Sequence, residues 1–148
     1  MSLESKIMEQ LKEAMKSKDS IALDALRAIK SEILLLKTSG SHAEITAEQE
    51  IAMLQKMIKQ RKEAAEQFLA NKREELANKE LAQADVIQKF LPAQLSIEEL
   101  ETKLKEIIQQ VGAESAKDMG KVMGMAGKLL SGKAEGKTIA DTVKKLLG

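Results

Sequence analysis

The sequence predicts an all-α protein. A long-helix N-terminal hairpin or bundle is expected over residues 1–91, and a small three-helix unit over residues 92–148. Three observations carry this. Apolar residues recur at spacings of three and four along most of the chain, which marks one buried face per helix. No segment alternates apolar and polar residues with period two, so no sheet is expected. The single proline, Pro92, then interrupts the helical pattern. Proline has no N–H and pushes the preceding residue out of helix geometry, so a helix has to stop by Leu91. Ser96 and Glu99 form a Ser-x-x-Glu capping box that opens the next one.

The first helix carries Leu3, Ile7, Met8, Leu11, Ala14 and Met15. Ser17-Lys18-Asp19-Ser20 breaks it, with Asp19 or Ser20 as the following cap. The second helix has a stripe of Leu23, Leu26, Ile29, Ile33 and Leu36, widened by Leu34 and Leu35, so it is expected to be the most buried. A loop from Thr38 to Glu44 follows. Thr46-Ala47-Glu48-Gln49 is a second capping box, and a third helix runs from it to about Ala70. Its stripe is Ile51, Leu54, Ile58, Ala65, Phe68 and Leu69, with Arg61 at a stripe position. Asn71, with Glu74 three residues later, suggests a cap for a fourth helix bearing Leu76, Ala77, Leu81, Ala84, Ile87 and Leu91. Beyond Pro92, a fifth helix carries Leu100, Leu104, Ile107, Ile108 and Val111 and stops at Gly112. A sixth opens at Ser115 or Ala116 and ends near Leu130. A seventh is capped by Thr138 and buries Ile139, Val143, Leu146 and Leu147.

Composition narrows the function. Cysteine is absent, which excludes disulfides and thiolate metal sites and fits a reducing cytosol, so a cytoplasmic location is expected. The one histidine, His42, excludes multi-histidine metal sites and reads as a solvated loop residue. No metal or cofactor is expected. Phe68 and Phe90 are the only aromatics, too few for a base-stacking platform. No apolar run approaches the roughly 20 residues of a membrane span. The segment Met1 to Lys6 lacks the apolar core of a signal peptide. The formal net charge is +1, so a nucleic-acid surface would have to be local.

The sixth helix is the most informative. Met119, Val122, Met123, Ala126 and Leu130 share one face, and Lys117, Lys121 and Lys128 the opposite one. Gly120, Gly124 and Gly127 lie beside the lysine row. A glycine inside a helix costs about 1 kcal/mol relative to alanine, so something is expected to approach the backbone here. A neighbouring helix and a nucleic-acid backbone both fit, and spacing alone favours the helix. Gly132-Lys133-Ala134-Glu135-Gly136-Lys137 makes a short basic loop leading into a helix start, a setting that suits a phosphate. It is not a phosphate-binding loop of the nucleotide-hydrolase kind, because it follows a helix and no hydroxyl residue follows Lys133.

Catalytic patterns are missing. There is no Gly-x-Ser-x-Gly and no His-Glu-x-x-His. The acid pairs Glu74-Glu75 and Glu98-Glu99 sit at helix starts, where the helix dipole accounts for them. Lys30-Ser31-Glu32 lacks the glycine-rich surroundings of a serine–lysine amidase. No independent active site is visible, and no catalytic residue is assigned.

These motifs, in their order, resemble the YqeY family, described as small bacterial proteins similar to the C-terminal tail of GatB, a subunit of the tRNA-dependent amidotransferase. The resemblance rests on Leu26-Arg27-Ala28-Ile29-Lys30-Ser31-Glu32, on Lys59-Gln60-Arg61-Lys62 leading to Phe68, and on Arg73 and Lys79-Glu80. It continues through Phe90-Leu91-Pro92-Ala93-Gln94-Leu95-Ser96 and Asp118-Met119-Gly120-Lys121-Val122-Met123-Gly124, and ends at Gly132-Lys133-Ala134-Glu135-Gly136. The family usually has Asp where this chain has Glu135, and often Ser where Ala64 stands. The resemblance implies a two-part helical fold and a tRNA-binding or tRNA-recognition module related to an amidotransferase, with glutamine as the amide donor of that reaction. The partners implied are tRNA and an amidotransferase or other protein. The residues for RNA contact are Lys117, Gly120, Lys121, Gly124, Lys128, Gly132, Lys133 and Lys137. The alternatives are a protein-interaction adaptor and an accessory subunit without RNA contact.

Overall fold

A computed structural model describes residues 2–39 and 44–148. His42 and the middle of the loop containing it lie outside the described residues. Seven α-helices and no strand occur among the described residues, so the chain is all-α. Contacts divide it into two compact units, Met1–Leu91 and Pro92–Gly148. No described helix is long and apolar enough to cross a membrane.

The first unit contains α1 (Leu3–Ser17), α2 (Ser20–Thr38), α3 (Ala47–Ala70) and α4 (Glu74–Gln88). The Asp19 carboxylate accepts from the Ala22 N–H and starts α2. Thr46 and Gln49 form the reciprocal capping box of α3. α3 packs along α4, α4 against α2, and α2 against α1. Ile7, Leu26, Ile29, Leu54 and Ile87 are fully buried at the centre of this unit. Arg61 is half-buried at its stripe position. Its Nε donates to Gln83 Oε1 at 3.1 Å and its Nη1 to the Met57 carbonyl at 3.2 Å. The guanidinium therefore joins α3 to α4.

Two expectations are corrected in this unit. Asn71 closes α3 instead of opening α4, because its side-chain amide donates back to the Gln67 carbonyl at 3.0 Å. α4 begins at Glu74 without a side-chain cap, and the acidic pair Glu74-Glu75 in its first turn interacts with the helix dipole instead. The second correction concerns α2. Leu34 and Leu35 widen the apolar stripe beyond what the neighbouring helices cover, and both are exposed.

The second unit contains α5 (Ile97–Val111), α6 (Met119–Leu129) and α7 (Gly136–Leu147), each packed on the other two. Leu100, Leu104, Val122 and Val143 form its fully buried centre, with Ala126, Leu130 and Ile139 around them. Ser96 and Glu99 make the capping box of α5. Gly112 ends α5 at φ 68°, in the left-handed region that favours glycine. The segment before α5 is fastened to the loop after α6. Leu95 donates its N–H to the Lys133 carbonyl at 2.9 Å. The Gln94 amide donates to the Gly132 carbonyl at 2.6 Å and to the Pro92 carbonyl at 3.0 Å.

Candidate nucleic-acid interface

α6 does not begin as an α-helix at Ser115 or Ala116. Residues Ala116–Asp118 form a 3-10 turn, and the α-helix starts at Met119. The turn tightens because its own side chains take up the free backbone donors. Ser115 Oγ accepts from the Lys117 N–H at 3.4 Å, and the Asp118 carboxylate accepts from the Glu114 N–H at 3.0 Å. The Glu114 N–H is the chief cause holding the Asp118 carboxyl below its usual range, and Lys121 adds a smaller attraction. Lys117 thus lies in the 3-10 turn, one step outside the helix that carries the other lysines.

Within α6, Val122 and Ala126 are fully buried against the unit's core. Gly120, Gly124 and Gly127 are exposed. A Cβ built at any of them would find no packing neighbour within 4 Å. The expectation that a neighbouring helix approaches these glycines is therefore corrected for the chain itself: its own helices leave the row bare. A helix turns by roughly 100° per residue, which places Lys121 and Lys128 on almost the same line, bordering the glycines. Both lysines are exposed. The result is a strip of uncovered backbone with a cationic edge.

The loop beyond α6 divides the remaining candidates. Gly132 does not join the surface. It is buried, with φ 77°, and its carbonyl accepts from Gln94. Its role is to turn the chain where a side chain would be strained. Lys133 and Lys137 are exposed. α7 starts at Gly136, two residues before the expected Thr138 cap, because the Glu135 carbonyl already accepts from the Ile139 N–H at 3.0 Å. Thr138 lies inside the helix, where its carbonyl accepts from Thr142 Oγ1 at 2.7 Å. Glu135 occupies the N-cap position and makes no side-chain cap bond there. An acid at that place opposes a phosphate at the start of α7, which leaves α6 as the candidate surface.

Sequence reasoning missed Gln94, which ties the Pro92 segment to Gly132. The signal was present: a polar residue two positions after the only proline, inside an otherwise apolar motif. A shallow cavity of about 480 Å³ in the first unit is lined by Glu4, Glu44 and Glu50 with Lys37. Lys37 is already paired with Glu4. No group of three or more acidic or histidine side chains among the described residues is placed to hold a metal ion.

These features define a class: an all-helical protein of two units, the smaller of which presents bare backbone edged by lysine. The family model described as Yqey-like protein matches residues 4–147, and the chain belongs to this family. It is similar to altered inheritance of mitochondria protein 41, mitochondrial, from three fungi. Identity to the protein of Pyrenophora tritici-repentis is 31%, covering 97% of this chain and 80% of the relative. For Candida glabrata it is 33%, covering 71% and 59%. For Saccharomyces cerevisiae it is 32%, covering 77% and 64%. The chain thus spans less than two thirds of two of these relatives.

The names of these relatives correct two expectations. The family was read as bacterial, yet these members are fungal. A cytoplasmic location was read from the composition, yet the relatives are mitochondrial by name. The physical reason is plain. An absence of cysteine excludes disulfides but does not distinguish one compartment from another.

Proposed function

We propose that the second unit is a tRNA-binding module that grips the phosphate backbone along α6. The observation that supports this is the uncovered row of Gly120, Gly124 and Gly127 beside Lys121 and Lys128. Each interior glycine costs helix stability, and no packing among the described residues repays it. A phosphate chain benefits twice from such a strip. It reaches the backbone without side-chain obstruction, and the lysines attract it. Lys117, Lys133 and Lys137 are exposed on the same unit and add to its positive charge. A second α6 from another copy is a poorer fit, since it would bring lysine against lysine. The resemblance to the GatB tail supports tRNA as the class of RNA, and supports a role in holding it for an amide-transferring enzyme or another protein partner. No chemistry is assigned to the unit itself.

Lysine-to-phosphate contacts carry no base information, so binding is expected to be largely independent of sequence. The test is filter binding of tRNA across a salt series with Lys121→Glu combined with Lys128→Glu. Removing two phosphate contacts should weaken binding and flatten the slope of log K against log salt by about two, with the B-DNA coefficient as guide. Both residues are exposed, so circular dichroism should show the helices intact. Unchanged affinity and slope in the folded double variant would sink the RNA interface and favour a protein-interaction adaptor instead.

A further inference from the structure

The first unit carries its own unexplained surface, on the groove between α1 and α2. The Glu4–Lys37 ion pair fixes which edges of the two helices face each other. On α1, Met8 and Met15 follow Glu4 at four and eleven residues, so they share its edge. On α2, Lys30 precedes Lys37 by seven residues and lies almost on its line, while Leu34 and Arg27, three and ten residues before it, stand about 60° and about 80° further round. The groove therefore mixes exposed apolar side chains with cations, of which Arg27 stands at its outer lip. Leu34 is 62% exposed, Met15 54% and Met8 42%. Arg27 and Lys30 are exposed and hold no ion pair among the described residues.

We infer that this groove binds an amphipathic helix of a protein partner whose apolar stripe is flanked by acidic residues. The composition of the groove selects this occupant. Methionine is flexible and polarisable, and suits a floor that adapts to a partner helix. Anchors seven residues apart match the repeat by which a helix lies in a groove. The lip supplies charge complementarity only to an acidic flank. A second copy of the chain would set Arg27 and Lys30 against the same charges across a two-fold axis. A nucleic-acid backbone would meet the lip but leave the methionines and Leu34 without an apolar partner. This inference is independent of the tRNA reading, which concerns the other unit.

The probe is a fluorescein-labelled designed helical peptide with a leucine stripe flanked by glutamates, read by anisotropy against the full chain. A second peptide has the same stripe flanked by lysines. The glutamate peptide should bind about tenfold tighter than the lysine peptide, the effect of two exposed ion pairs of favourable geometry. Arg27→Glu with Lys30→Glu should abolish that preference, and Leu34→Ser should weaken both peptides. These side chains are exposed, so the variants should stay folded. Lys121→Glu with Lys128→Glu should leave peptide binding unchanged, which separates this groove from α6. Equal binding of the two peptides, binding of neither, or no response to Arg27→Glu with Lys30→Glu overturns the inference. Loss of tRNA binding in that variant, without peptide binding by the parent, would reassign the groove to nucleic acid.

Discussion

The two units place cations on different ground. In the second, Lys121 and Lys128 border glycines, so their neighbour is bare backbone. In the first, Arg27 and Lys30 share α2 with the exposed Leu34, so the surface beside them includes exposed apolar side chain. Charge alone does not separate these surfaces. The atoms between the charges do, because a phosphate chain needs close access while a partner helix needs area to bury. Arg61 shows a third use of a cation: it looks like part of a basic patch in Lys59-Gln60-Arg61-Lys62, yet it is consumed by Gln83 and the Met57 carbonyl.

The comparison breaks most sharply if the units are not separate. Each has its own core, centred on Leu26 in the first and Leu104 in the second. Leu104 is fully buried, so Leu104→Ala should cost about 3 kcal/mol through lost burial and the cavity left behind. Hydrogen exchange should then show faster opening of α5, α6 and α7 and unchanged protection of α1 and α2. Leu26→Ala should do the reverse. Equal loss of protection in both cores from either substitution would show one cooperative unit, and the contrast between two surfaces would then describe a single body.

A smaller effect sharpens the glycine half of the comparison. Gly124 and Gly127 lie in α6 with ordinary helical backbone and open space around them. Gly124→Ala with Gly127→Ala should therefore stabilise the second unit, by about 1–2 kcal/mol from helix propensity. The same two methyl groups cover the strip, so tRNA affinity should fall while stability rises. Urea denaturation and filter binding on one preparation measure both. A more stable variant with unchanged tRNA affinity would show that the glycines are not a contact surface.

Helix number and the apolar faces were legible because the three-and-four spacing is local. Ile7, Ile29, Leu54, Leu104 and Val143 all read as core and are core. The capping boxes at Thr46 and Ser96 were legible for the same reason. What failed depended on partners distant in space or on competition between neighbours. Leu34 and Leu35 read as core because a wide stripe was taken for a wide contact, but exposure depends on how many helices pack there. Thr138 lost its cap role to a turn already closed by the Glu135 carbonyl. Asn71 turned back to α3, since a short amide reaches either end of a break. At the candidate interface the lysines and glycines of α6 were legible as a pair of rows. Gly132 was not, because only its φ of 77° and its bond from Gln94 reveal a turn buried inside the unit.

The smallest effect concerns the turn that leads into α6. Asp118 accepts the Glu114 N–H, and its carboxyl is held below the usual range chiefly by that bond, with Lys121 contributing less. A folded value below the unfolded one means that the ionised carboxylate stabilises the folded turn. That contribution is complete above the unfolded value of about 4 and is lost as pH falls through the lower folded value. Asp118→Asn keeps an oxygen that can accept the Glu114 N–H but removes the titration. Between about pH 5 and 2, the variant should therefore show a shallower fall in stability of the second unit than the parent. At neutral pH it should be slightly less stable, because the attraction to Lys121 is gone. The charge lost is also an anion beside the lysine row, so tRNA affinity should rise a little. Parallel acid titrations followed by circular dichroism would check the slope. Identical acid profiles would mean that Asp118 does not couple to folding, and the brace at the head of α6 would then rest on Ser115 alone.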